Sequence, residues 1–158
     1  MSENIFHDDE FAEIMSDHAY DIIGFLVESE IAFSILCALP DLSFEPPLPE
    51  KIARSLKPLT LFALNGYTLE SAGFDDEGEM FSFEAGFGSE NFGSLVSVPA
   101  KSIVQILYED AVIFVNLTAL PQYQKKSVAQ PVRITRQPSI ENSISNFLDN
   151  PENSKFLK

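Results

Sequence analysis

FSFEAGFGSENFGSLVSVPAKSIVQILYEDAVIFVNL, residues 81–117, changes its hydrophobic period along its length, and those changes decide the fold. Phe81, Phe83, Ala85 and Phe87 alternate with Ser82, Glu84 and Gly86, the period of a strand with one packed face. Residues 88–93 carry two glycines and read as a turn, after which Leu95, Val96 and Val98 restore strand character until Pro99 ends it. Ile103, Ile106 and Leu107 then fall at i, i+3 and i+4, which predicts a helix over 100–108, and residues 112–117 predict another strand. The unit is β-turn-β-α-β, compact and free of any catalytic constellation.

Working outward, 158 residues with 45% hydrophobic content suit one domain with a sizeable core, and 14 phenylalanines without tryptophan predict that aromatic rings fill it. Upstream, residues 59–64 and 67–72 flank Asn65-Gly66, a hairpin signature, and residues 75–78 form the next turn, so three strands in a meander are expected before Pro99. Residues 31–39 are nearly continuous apolar sequence and predict a buried strand. The proline-rich 40–49 that follows predicts an irregular crossing anchored by Leu42 and Phe44, with one or two helical turns over 49–56.

Phe11, Ile14, Met15, His18, Ala19, Ile22, Ile23, Leu26 and Val27 recur at helical spacing and predict an amphipathic helix over 11–27, or a shorter one capped by Ser16 or Asp17. Its apolar face needs a cover, either the domain's own sheet or the same helix of a second subunit. The expected organisation is a flexible acidic segment 1–10, one α+β binding domain 11–121, and an extended carboxy-terminal arm 122–158. The arm carries an alternating stretch at 132–136 and a short helix over 140–148.

Charge narrows the partners. The net charge is -14, and residues 1–79 hold 17 acidic against three basic side chains. Such a surface repels phosphate backbones, which argues against nucleic acid, and suits a basic protein partner. No stretch is long and apolar enough for a membrane span, the start is acidic where a secretion signal is basic, and the single Cys37 lies in an apolar run. These features point to a cytoplasmic protein with a reduced, buried thiol.

The chemistry-bearing residues assemble no enzyme signature. His7, Asp8, Asp9 and Glu10 form the densest set of metal-ligand types but lie at an expected mobile end, and residues 75–79 lack the ligand spacing of a calcium loop, so neither metal nor cofactor is expected. The glycines at 86, 88 and 93 fit neither standard phosphate-loop pattern. An enzyme reading would need His18, Glu28 and Tyr67 to converge on a closed pocket at a dimer interface. Non-catalytic peptide or protein binding fits better, since a small sheet beside the Phe81 strand can receive an extended segment and glycines let its backbone approach.

FSFEAGFG, VSVPAKSI, an apolar helix ending near Tyr108 and AVIFVNL, with the amino-terminal helix, the strand ending at Pro40 and the proline crossing, resemble the substrate-recognition domain of the stringent starvation protein B family. These bacterial adaptors deliver tagged peptides from stalled ribosomes to an AAA+ protease. The resemblance covers about residues 17–118 and is most specific over 81–117. It implies a small, strongly bent antiparallel sheet, a helix inserted after the third or fourth strand, and a homodimer through the amino-terminal helix, here Ala19, Ile22, Ile23 and Leu26. It places a peptide groove along Phe83, Ala85, Gly86 and Phe87 and along Val96 and Val98. Gly86 departs from the family, which often carries a polar or basic residue there, and the arm is shorter and more nearly neutral than the family's acidic linker. The acidic balance and element order also resemble small dimeric secretion chaperones, whose clients wrap around exposed apolar patches.

Overall fold

The computed structural model describes residues 4–124. The chain divides into two units, Met1–Gln124 and Lys125–Lys158. The arm's expected strand at 132–136 and helix at 140–148 lie outside the described residues.

After a single 3-10 turn at Ile5–His7, the first unit runs through helix α1 (Asp9–Glu28), β1 (Phe33–Ala38), β2 (Ser43–Glu45), α2 (Glu50–Ser55), β3 (Leu59–Leu64), α3 (Gly66–Ser71) and β4 (Gly73–Phe74). The remaining strands are β5 (Phe81–Phe87), β6 (Phe92–Val98), β7 (Ile103–Tyr108) and β8 (Ala111–Val115). They form two four-stranded antiparallel sheets, the first ordered β3-β1-β7-β8 and the second β2-β6-β5-β4. The α+β class and the antiparallel strands agree with the sequence. The single strongly bent sheet does not: there are two sheets, and neither is strongly curled.

Three local readings change as well. The residues expected as a helix over 100–108 are a single turn, Ala100–Ser102, and then strand β7. Ile103, Val104 and Ile106 are buried in this strand, and all three are β-branched residues that favour a pleated surface. A register shift opposite Leu36 and Cys37 breaks strict alternation, which left an apolar spacing that imitates a helix. Asn65-Gly66 starts no hairpin: Gly66, at φ +53°, opens helix α3 with Asn65 in the N-cap position, so residues 66–71 are helical where a strand was expected. The proline crossing holds a short strand, β2, and a cis Glu45–Pro46 peptide bond, while Leu42 and Phe44 pack against the core as expected.

Alternation explains why the sheets come together. Phe33, Ile35 and Cys37 of β1, Phe62 and Leu64 of β3, Ile106 of β7, Phe81 and Phe83 of β5, and Val96 and Val98 of β6 point into one buried cluster. Helix α1 adds Ala19, Ile23 and Leu26 to it, and Asp8 caps the helix by accepting from the Phe11 N–H at 2.9 Å. Each fully buried large side chain contributes about 1.5–3 kcal/mol of burial free energy.

The outer face of the first sheet is left without charge. Leu61, Leu36, Gln105 and Val115 stand in register across its four strands, and so do Ala63, Ser34, Leu107 and Val112. Strand β8 forms an edge and carries a bulge, in which Ile113 has no partner between the pairs Ile106–Phe114 and Leu107–Val112.

Candidate functional site

The β5–β6 hairpin turns one face inward and one outward, and the outward face is where a site is built. Its cross-strand pairs are Ser82–Ser97, Glu84–Leu95 and Gly86–Gly93. On the far side of β6, Glu45 of β2 also stands opposite Leu95, so Glu45, Leu95 and Glu84 form one rung across three strands. The next rung holds only the two glycines, a floor without side chains. Above it lies an open cleft of about 560 Å³.

Two hydrogen bonds to the backbone set the walls. Strand β4 is only two residues long, so the Glu84 N–H lies beyond its pairing and donates instead to Ser71 Oγ at 2.8 Å. This holds α3 against β5 and brings Tyr67, one helical turn earlier, to the cleft, where its hydroxyl donates to Glu84 Oε1. The bond and the negative charge of Glu84 push the Tyr67 phenol above its ordinary pKa. On the opposite wall, Ser94 Oγ donates to the Pro46 carbonyl at 2.9 Å and fixes the chain beside β6 as it leaves β2. Tyr67, Thr68 and Glu84 thus face Glu45 and Pro46 across Leu95 and the glycine floor.

The two glycines are not equivalent. A Cβ built on Gly86 would sit 1.7 Å from Asn91 Oδ1, so the Asn91 side chain already occupies the space that Gly86 leaves. Asn91 reaches it from the hairpin turn, where it adopts φ +56°. A Cβ on Gly93 meets nothing within 4 Å, so the space over Gly93 is open to the cleft.

The expected groove residues divide by strand face. Gly86 is on the cleft face, and Ala85, which packs against the core, also borders the cleft. Phe83, Val96 and Val98 have no exposed surface, and Phe87 packs on Phe44 with ring centroids 5.9 Å apart. Alternation sends residues 83, 85 and 87 inward, so the sequence selected the packed face of the correct hairpin. Gly93 and Leu95, which it missed, are recoverable from the same alternation. Glu45, Pro46 and Tyr67 come from elements whose position the sequence does not reveal.

The residues expected to dimerise are placed differently. Ala19, Ile23 and Leu26 are buried in the chain's own core and only Ile22 reaches the surface in part. The exposed apolar side chains of α1 are Ile14 and Phe25, three turns apart on the opposite side. The structure does not gather His18, Glu28 and Tyr67: the first two are exposed on α1 and roughly 15 Å apart along it, and only Tyr67 borders the cleft. A second cavity of about 440 Å³, near Val27, Glu30, Leu69 and Glu70, contains neither His18 nor Glu28.

Among the described residues no group of three or more His, Cys, Asp or Glu is arranged to hold a metal ion, and no helix is long and apolar enough to cross a membrane. No family model and no curated protein matches the chain.

Proposed function

We propose that this chain is a non-catalytic receptor for an extended peptide or protein segment, acting as a cytoplasmic homodimeric adaptor of the stringent starvation protein B kind that passes tagged substrates to an AAA+ protease. The observation that carries the reading is the Gly86–Gly93 rung, open over Gly93 beside exposed Leu95, between the α3 wall and the β2 wall. Such a floor lets a peptide backbone approach, and the hydroxyl, amide and carboxylate groups around it suit recognition of an extended chain. Self-association in this reading uses the outward stripe of α1 at Ile14 and Phe25.

Gly93→Phe tests the site, because the added ring fills the cleft without meeting protein atoms at Cβ. Titrating fluorescein-labelled ten-residue peptides into the full chain, followed by anisotropy, should give saturable binding that falls at least tenfold in the folded variant. Equal affinity in the two proteins removes the assignment.

A second reading, a secretion or assembly chaperone, is favoured by the uncharged outer face of the first sheet. Client binding that survives Gly93→Phe and is lost in Leu61→Asp would select it.

A further inference from the structure

We infer that the cleft selects a segment bearing an arginine or lysine side chain over Leu95, an inference that rests on reading the cleft as a peptide site. Glu45 and Glu84 leave adjacent strands on the same face as Leu95, one on each side of it. Strand spacing sets their origins roughly 10 Å apart. Leu95 between them is 38% exposed, an apolar seat on which the methylene stem of a long basic side chain lies while its head reaches a carboxylate.

Among the described residues no cation lines the cleft. Residues 1–124 carry 21 acidic side chains and four basic ones, Lys51, Arg54, Lys57 and Lys101, and none of the four lines the cleft. Among the described residues the ion pairs are Arg54–Glu50 and Lys101–Asp41, both elsewhere. Glu84 accepts from the Tyr67 hydroxyl, a donor without charge, and neither Glu84 nor Glu45 has an ion-pair partner among the described residues. A basic segment is therefore drawn toward the cleft and completes a charge pattern that the described residues leave open, whereas an acidic segment meets two like charges.

Three fluorescein-labelled peptides of one apolar framework test this, with arginine, its neutral isostere citrulline, or glutamate at the central position. They are titrated into the full chain by anisotropy at low and moderate salt. The arginine peptide should bind about tenfold tighter than the citrulline peptide, and the glutamate peptide weakest. Glu45→Gln with Glu84→Gln should abolish the arginine peptide's advantage over the citrulline peptide, both measured on that same variant. Glu77→Gln with Glu79→Gln, on the turn before β5, should leave that advantage in place.

Equal arginine and citrulline affinity overturns the charge selectivity and leaves the peptide site standing. An equal loss from the Glu77 and Glu79 substitutions also overturns it, because the attraction is then diffuse. If no peptide binds, or all bind Gly93→Phe as they bind the parent, the peptide site itself falls and the selectivity with it.

Discussion

The Tyr20 hydroxyl donates to the Val98 carbonyl at 2.6 Å and accepts from the Phe81 N–H at 3.1 Å, so one phenol ties α1 to the last residue of β6 and the first of β5. Tyr20→Phe leaves both backbone groups without that partner. Urea unfolding should show a loss of about 1–3 kcal/mol. The same residue predicts an alkaline limb. Burial, partly offset by the Phe81 N–H, pushes its pKa from 10.0 up to about 12. The folded chain then holds the proton more tightly than the unfolded chain, so this contribution is complete below about pH 10 and is lost as pH rises toward 12. Unfolding curves measured across that window should fall more steeply for the parent than for Tyr20→Phe.

Phe62 and Phe83 join the two sheets edge to face, with ring centroids 5.5 Å apart. Phe83→Ala should cost about 3–5 kcal/mol by chemical denaturation, because both the ring and its packing partners lose contacts. Loss of affinity in a Phe83 variant is thus expected to follow its unfolded fraction, which thermal melts run beside the binding assay will show.

Glycine substitutions separate fold from surface. Gly88 sits at φ +77° and a Cβ there lies 3.2 Å from Ile52 Cδ1, so Gly88→Ala should cost about 1 kcal/mol or more. Gly93→Ala should change the denaturation midpoint little, since open space surrounds its Cβ.

These contrasts show what the sequence makes legible. The β5–β6 hairpin is readable because Phe81, Phe83, Val96 and Val98 keep a strict period of two over seven residues each, and α1 because its stripe persists for five turns. Strand β7 is not, since six mostly apolar residues with a register shift carry no reliable period. Asn65-Gly66 suits both a hairpin turn and a helix start, and tertiary contacts, Leu69 on the core and Ser71 on the Glu84 N–H, favour the helix. The cleft was half visible: its hairpin could be named, but its walls depend on Ser71 and Ser94 side chains bonding to distant backbone groups.

Cys37 offers a probe of opening. It has no exposed surface, and burial pushes its thiol well above the ordinary range. Reaction with a disulfide reagent at neutral pH should be at least a hundredfold slower than in urea, and its residual rate should rise in Phe83→Ala. A fast native reaction would show that β1 opens locally.

The unpaired Ile113 in edge strand β8 bears on how this chain behaves at high concentration. An uncharged edge with a regular backbone ladder would invite strand after strand from neighbouring copies. The extra residue interrupts that ladder, and Glu109 and Asp110 place two negative charges immediately before the strand. Together they act as a brake on fibrillar growth, so that an apolar face is kept without making the strand beside it a seed.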